Sequence, residues 1–412
     1  MAKKENRHAE LVSASANIEA PYELPEGWKW CRQNEVCRLA DGEKKTNVSY
    51  PYLEVKYLRG NKEKDFVTSG KFIKAGTKVI LVDGENSGEV FTVPEDGFMG
   101  STFKALSIQN VDENYLQFFI QTKKDLYRNN KKGSAIPHLN KELFFNMPFP
   151  LPPTLAEQQR IVNHIETMFA KLDQAQEKVQ AVLDIFETRK AAILHKAFTG
   201  ELTANWRKEN GVPDDSWEEK TVGECCTSLK YGTAKKSESS GKVAVIRMGN
   251  IQHGEIEYDD LVFSNDEEDI KKYSLSKGDV LFNRTNSPEW VGKTSIYRGD
   301  IPAIYAGYLI KLDYIKTMLI GDYLNYMLNS PNAKEYCNSV KTDGVNQSNI
   351  NAQKIGAYEI PVPSLPEQQE IVRILDSVLE KESHAKEAAG AVLDQIALLK
   401  KSILARAFRG EL

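Results

Sequence analysis

The chain has 412 residues, 41% of them hydrophobic and 27% charged, with a net charge of −4 and a pI near 6.0. That length supports two to four domains, the composition excludes wholesale disorder, and no apolar run reaches the roughly 18 residues needed to cross a bilayer. The acidic balance argues against a uniformly basic nucleic-acid binder, so any DNA-facing surface must come from sorting charges onto faces.

Residues 1–23 are polar, with a basic start but no apolar stretch of the kind a secretory signal carries, and are expected to form a loosely ordered arm. A first domain, 1–153 with the arm, begins in earnest at Leu24-Pro-Glu-Gly-Trp28. Its short apolar runs Tyr52–Leu58, Lys78–Val82 and Phe103–Ile108 predict strands, and Tyr115 onward predicts a helix. Ser134–Asn140 is expected to be a loop, and the prolines of Met147–Pro153 hold that stretch extended.

From Leu155 to Leu202 runs a segment that the chain repeats from Leu365 to Leu412, with about 21 of some 48 aligned positions identical and no gap. Both copies open on Glu-Gln-Gln and close on Gly-Glu-Leu. Each predicts one long helix. Thr154 with Glu157, and Ser364 with Glu367, match the capping box, and Gly200 and Gly410 sit where a helix stops. Apolar residues step by fours and threes through Ile161, Ile165, Met168, Leu172, Ala175, Val179, Val182, Phe186 and on to Ile193 in one copy. In the other they run through Ile371, Leu375, Val378, Ala385, Ala389, Val392, Ile396, Leu399 and Ile403. A stripe held over four heptads needs a partner helix, and the other copy is the obvious one. One polar break occurs in each stripe: Arg189 aligns with Leu399, and Glu382 with Leu172. An antiparallel pair with pseudo-twofold symmetry predicts that Arg189 meets Glu382 while Leu172 meets Leu399.

Thr203–Gly211 is expected to be a linker closing the first helical segment, 154–205. The domain plan then restarts in 206–363, with Trp217 and Cys226 taking the places of Trp28 and Cys37. Val243–Ile251 and Gly278–Arg284 predict strands, Tyr323–Leu328 a helix, and Ile360–Pro363 an extended lead into the second long helix, 364–412. The fold class is therefore α+β: two mixed α/β domains separated by two long helices that form an antiparallel coiled coil, with a pseudo-twofold internal repeat.

Catalytic signals are sparse. No dinucleotide or phosphate-loop motif occurs, the six histidines are scattered, and no two of the five cysteines form a C-x-x-C pair, so catalytic and metal residues are read as none. Free thiols without a signal point to the cytoplasm. Polar loops recur at matching places in both domains instead. Candidate DNA-binding residues in the first are Lys44, Lys45, Lys56, Arg59, His138 and Asn140. In the second they are Lys230, Tyr231, Lys235, Lys236, Arg247, Asn250, Asn283, Arg284, Asn286, Gln347 and Asn349. Arginine, lysine and the amides can pair bidentately with guanine and adenine edges, and lysine also neutralises phosphate.

These residues together resemble the DNA-specificity subunit of type I restriction–modification systems. The resemblance lies in Pro152–Val162 and Pro363–Val372, in Ala197–Trp206 and Ala407–Leu412, and in Leu24–Trp28, Ile246–Ile251 and Gly278–Ser287. It covers nearly the whole chain; Leu81–Gly88 departs from the usual pattern more than Asn283–Ser287 does. It implies two target-recognition domains, each reading half of a bipartite double-stranded DNA site. The helices would act as a ruler and as a dock for two methyltransferase subunits. Those partners would bind S-adenosylmethionine and methylate adenine, this chain would bind no cofactor, and motor-nuclease subunits would add cleavage. Residues 8–23 would pack at the end of the second helix. The competing readings are a stand-alone coiled-coil DNA-binding regulator and a nuclease with an unrecognised site.

Overall fold

The computed structural model describes residues 19–133 and 137–412. Two compact units result, one holding the chain up to Val179 together with Ala391–Leu412, the other Gln180–Gly390. The division does not follow the expected domain limits, because each long helix (Leu155–Phe198 and Leu365–Ala407) contributes one end to each unit.

In the first unit, strand Lys29–Arg32 pairs antiparallel with Pro148–Leu151, so the domain's entry and exit lie side by side. The two prolines within the exit strand, Pro148 and Pro150, are tolerated because this ladder has only two strands, and each can turn its missing N–H away from the partner. Cys37–Ala40, Phe103–Ile108, Lys78–Leu81 and Val90–Thr92 form an antiparallel four-stranded sheet in that order. Glu43–Leu53, Phe66–Ile73 and Gly97–Met99 pair mutually as a second layer. Helix Glu113–Thr122 is capped by Asp112, which accepts from the N–H groups of Asn114 and Tyr115, and it buries Tyr115, Leu116, Phe119 and Ile120.

The second unit repeats this plan. Glu218–Thr221 pairs with Glu359–Val362. The four-stranded sheet runs Cys226–Tyr231, Leu309–Tyr314, Val280–Asn283 and Thr294–Ile296. The second layer is an open sheet in which Val243–Ile246 pairs antiparallel with Val262–Ser264 and parallel with Ala303–Tyr305, whereas its counterpart in the first unit is closed by a third ladder. Helix Gly321–Leu328 stands where Glu113–Thr122 stands in the first unit. Tyr115 donates to the Pro150 carbonyl (3.0 Å) and Tyr323 to the Pro361 carbonyl (2.8 Å), so even the bond that ties this helix to the exit strand recurs.

The Glu-Gln-Gln motif attaches each long helix to its domain. Gln158 accepts from the N–H of Asp112 at 2.8 Å, and Gln368 from that of Ile320 at 2.9 Å; both donors precede the domain helix directly. The glutamate before each glutamine behaves differently. Thr154 and Ser364 do cap the N–H groups of Glu157 and Glu367, at 3.2 and 3.4 Å. The carboxylates, however, do not return to the cap as a full box requires. Glu157 takes Arg160, and the fully buried Glu367 takes Arg207 and Thr203, each at 2.7 Å.

That last contact corrects the linker reading. Residues Ala204–Asn210 are a helix, and Thr203 and Arg207 are buried. Gly211 ends it with φ +63°, a left-handed turn that glycine adopts without strain. Two strand limits also move. The strand expected at Tyr52–Leu58 ends at Leu53 and starts at Glu43, with a helical turn following at Val55–Leu58. The strand expected at Val243–Ile251 ends at Ile246.

The ends of the long helices are absorbed into the domain cores. Ile161 and Ile165 join Leu404 and Phe408 against the first domain. Ile371 and Leu375 join Leu194 and Phe198 against the second. Between these ends the helix segments run antiparallel within each unit. Lys400 reaches Asp173 (2.5 Å) in the first unit; Lys386 reaches Glu187 (2.8 Å) and Arg189 reaches Glu382 (2.6 Å) in the second. The Arg189 pair is the one the symmetry argument required.

The apolar half of that argument does not hold. Leu399 is 50% exposed and Val392 38% exposed. The inward face of the second helix passes instead through Leu393 and Ile396, while Leu172, Val179 and Ile403 are half-buried and Phe186 is buried. A straight helix has 3.6 residues per turn, so a strict seven-residue stripe drifts around it by about 20° per heptad.

Residues 8–18 and Ser134–Ile136 lie outside the described residues. Tyr22 does lie against the end of the second helix, its hydroxyl donating to the Phe408 carbonyl at 2.8 Å with the Arg409 guanidinium over its ring. Among the described residues no helix is long and apolar enough to cross a membrane.

Candidate nucleic-acid interface

Three segments of the second domain, far apart in sequence, converge on one small sheet. Thr285–Asn286 pairs with Ser348–Asn349, which pairs with Thr342–Asp343. Arg284 joins the third segment: its guanidinium lies over the Tyr231 ring at 4.7 Å, and its Nη groups donate to the Gly307 carbonyl and to Asn349 Oδ1, both at 3.3 Å. Asn349 in turn donates to Thr285 Oγ1 at 2.7 Å, and the Tyr231 hydroxyl accepts from the N–H of Ala352 at 2.9 Å. Lys230, Tyr231, Arg284, Asn286, Gln347 and Asn349 are thereby assembled around this sheet. A cation stacked on an aromatic face and tied at both ends is fixed in orientation, which is what a residue presenting or supporting base-reading groups needs.

Beside it a recess of about 650 Å³ is lined by Arg247, Gln252, His253, Asn286, Trp290, Lys293 and Tyr308, among others. His253 and Gly254, with φ of +51° and +86°, form the tight turn between Ile251–Gln252 and Glu255–Ile256, a geometry that matches hairpin twist. Lys293 stands 4.0 Å over the Trp290 ring and donates to Gln252 at 2.7 Å; burial lowers its pKa from the ordinary lysine value. Trp290 and Tyr308 are about half exposed. The sequence reading missed Gln252, His253, Trp290, Lys293 and Tyr308. Only the position of Trp290, three residues past Asn283–Ser287, hinted at any of them.

Several expected contacts are spent elsewhere. Asn250 is buried, with Nδ2 on the carbonyls of Glu257 and Asp259 and Oδ1 accepting from the N–H of Arg247. Asn283 is completely buried at the end of its strand, and its side-chain amide has no hydrogen-bond partner among the described residues. Arg247 is paired with Asp260 (3.0 Å), Lys230 with Asp313 (3.0 Å), and Lys235 with Asp266 (2.7 Å) and Asp269 (3.4 Å). The hydrogen bond to Asp266 raises the Lys235 pKa. Lys236 is exposed, with no carboxylate within ion-pair distance among the described residues.

In the first domain the long hairpin Glu43–Leu53/Phe66–Ile73 carries the basic residues. Lys44 stands opposite Lys71, and the pairing breaks between Thr46 and Tyr50, so that Asn47, Val48 and Ser49 bulge out and are exposed. Lys45 lies 3.5 Å over the Phe72 ring and 3.4 Å from Glu43. Lys104 and Lys71 share Asp41 and hold its carboxyl down to about 2. Lys56 is exposed on the following helical turn, while Arg59 is paired with Glu89. His138 Nδ1 lies 2.7 Å from Asp83. Asn140 caps helix Lys141–Asn146 by accepting from the N–H of Leu143, so its oxygen is occupied.

Among the described residues no group of three or more His, Cys, Asp or Glu side chains is placed to hold a metal ion.

The family model for the type I restriction modification DNA specificity domain matches this chain twice, over residues 25–183 and 214–389. The specificity subunit of the type I restriction enzyme EcoKI from Escherichia coli (strain K12) is 28% identical over 426 residues, covering 94% of this chain and 90% of the relative. The MjaVIII specificity subunit from Methanocaldococcus jannaschii is 27% identical and covers 92% of each chain. A solved chain from a study of complex assembly and conformational transition in the type I R-M system has a TM-score of 0.76 at 19% identity, covering 95% of this chain and 100% of that one. The HsdS subunit from Thermoanaerobacter tengcongensis has a TM-score of 0.58 at 19% identity, covering 96% and 100%. At such identity the two superpositions speak for the fold alone.

Proposed function

Because the chain belongs to the type I restriction–modification DNA specificity family, we infer that it is the DNA-recognition subunit of such a system and supplies sequence specificity to catalytic partners. The observation that carries this reading is the repeat of one domain plan with unlike loops. The four-stranded sheet, the second layer and the motif-held helix recur strand for strand, while the polar residues around them differ. Two readers of different half-sites on a common frame have that form. Sequence discrimination would come from the Arg284–Asn349 sheet and the adjoining recess in the second domain, and from the basic hairpin in the first.

Partners follow from the same reading. Double-stranded DNA is the ligand, and two methyltransferase subunits would bind S-adenosylmethionine and methylate adenine, with this chain contributing no catalytic group and no cofactor. Motor-nuclease subunits would join the same assembly, in the cytoplasm. The names of the relatives weigh against a regulator that works alone. Coexpression with an adenine methyltransferase of a type I system, followed by copurification and sequencing of methylated DNA, tests this. The expected outcome is a stable complex that methylates adenine in one bipartite sequence. A chain that binds DNA specifically but retains no methyltransferase would overturn it.

A further inference from the structure

Six consecutive residues of the second domain, Thr342–Gln347, are exposed, and Val345 at their centre is exposed over its whole surface. They form the tip of the hairpin Thr342–Asp343/Ser348–Asn349, closed by the Gly344 N–H donating to the Gln347 carbonyl at 2.7 Å. A single exposed valine on a mobile loop would mean little. This one is on a loop held at its neck from several sides. Ser348 is bonded to Asp343 across the strands. Lys354 Nζ donates to the Val340 carbonyl and, at 2.7 Å, to Thr342 Oγ1. Lys341 donates to the Pro288 carbonyl at 3.2 Å. Arg284 and Thr285 hold Asn349 on the other edge. The anchoring presents an apolar group to solvent with an amide, Asn346, and another, Gln347, beside it.

A two-stranded ribbon fits the major groove of B-form DNA, where the apolar group that a base pair displays is the C5 methyl of thymine. Resting on the reading of this chain as a DNA-specificity subunit, we propose that Val345 reads a thymine methyl in the half-site bound by the second domain. Its ribbon would enter the major groove with Asn346 or Gln347 directed at the neighbouring base edge. The pinned neck means that little ordering remains to be done on binding, so the contact can discriminate even though it is small.

The test uses the full chain assembled with its methyltransferase subunits and a duplex carrying the sequence that this assembly methylates. Thymines of each half-site are replaced one at a time by deoxyuridine, which removes only the C5 methyl. One replacement in the second half-site is expected to weaken binding of the wild-type complex roughly four- to fifteenfold, the scale of one or two buried methyl groups. Val345→Ala should weaken the unmodified duplex similarly and be indifferent to that same replacement. Indifference of the wild type to every replacement overturns the proposal, as does a Val345→Ala complex that keeps the wild-type sensitivity. A uniform loss on all duplexes overturns it too, because it would make Val345 a wedge or a backbone contact. Failure of the underlying functional reading looks different: the assembly would then show no sequence-selective binding to any duplex. Val345→Thr keeps the β-branched shape and one methyl, and should fall between wild type and alanine.

Discussion

At the scale of single residues, several of the candidate cations are already held by carboxylates, so a phosphate would have to compete for them. Lys235 already has two aspartates, whereas Lys236 has none among the described residues. Lys236→Ala is therefore expected to weaken binding to all sequences alike and to lower the slope of log affinity against log salt by about 1. Lys235→Ala should change that slope less, since binding must first break its own ion pairs. Titrations at several salt concentrations decide it; equal slopes for Lys236→Ala and wild type would remove Lys236 from the phosphate-facing surface. Asparagine shows the limit of reading roles from residue type. Asn349 lies in the small sheet beside Arg284, Asn140 is a helix cap, and Asn250 and Asn283 are buried. Asn140 and Asn349 stand in stretches that read as polar loops and Asn250 and Asn283 near the ends of expected strands, and residue type alone does not tell their roles apart.

At the scale of elements, the repeated glutamate has two energetic roles. Glu367 is fully buried against Arg207, itself almost buried, whereas Glu157 shares a half-exposed pair with Arg160. Removing one partner of a buried pair strands the other charge, so Glu367→Gln should cost roughly 3 kcal/mol. Glu157→Gln should cost less than about 1 kcal/mol, because solvent screens that pair. Chemical denaturation of each variant measures the difference, and equal losses would mean that the buried network carries no special weight. The hydrogen bond from Arg160 lowers the Glu157 pKa, so its small contribution is present above the ordinary carboxylate pKa and is lost as pH falls through the lowered value. The Arg189–Glu382 pair is intermediate, its glutamate mostly buried and its arginine mostly exposed. Arg189→Ala should cost about 1 kcal/mol. Exchanging the two charges, Arg189→Glu with Glu382→Arg, should recover most of what either inversion alone loses, the signature of direct coupling. Additive losses in that cycle would reduce the pair to a coincidence of neighbouring surfaces.

At the scale of the whole molecule, each unit closes on its own core and carries its own polar surface, so the two recognition functions should separate. Replacing residues 212–360 with the matching domain of a relative is expected to change one half of the methylated sequence and leave the other half as it was. Sequencing methylated DNA from cells carrying the chimera provides the measurement, and a change in both halves would show that the domains do not read independently. The exchange is feasible because the segment enters and leaves the domain through one antiparallel ladder, Glu218–Thr221 against Glu359–Val362, which lies directly before the second long helix.

The sequence by itself determined the repeat, the two long helices with their glycine stops, the core strands and the pairing of Arg189 with Glu382. These are legible because helix period, strand alternation and capping are properties of neighbouring residues, and because two aligned copies constrain each other's register. Tertiary structure decided the rest. The strand Glu43–Leu53 is polar along most of its length and is specified by its partners rather than by alternation. The segment Ala204–Asn210 is a packed helix because Glu367, 160 residues beyond Arg207, is buried against it. Leu399 and Val392 turn outward because a 3.6-residue helix does not keep a 3.5-residue stripe on one side. Which polar side chains remain available to DNA depends on carboxylates and carbonyls that the fold brings from dozens of residues away, and that information is not contained in any local stretch of the chain.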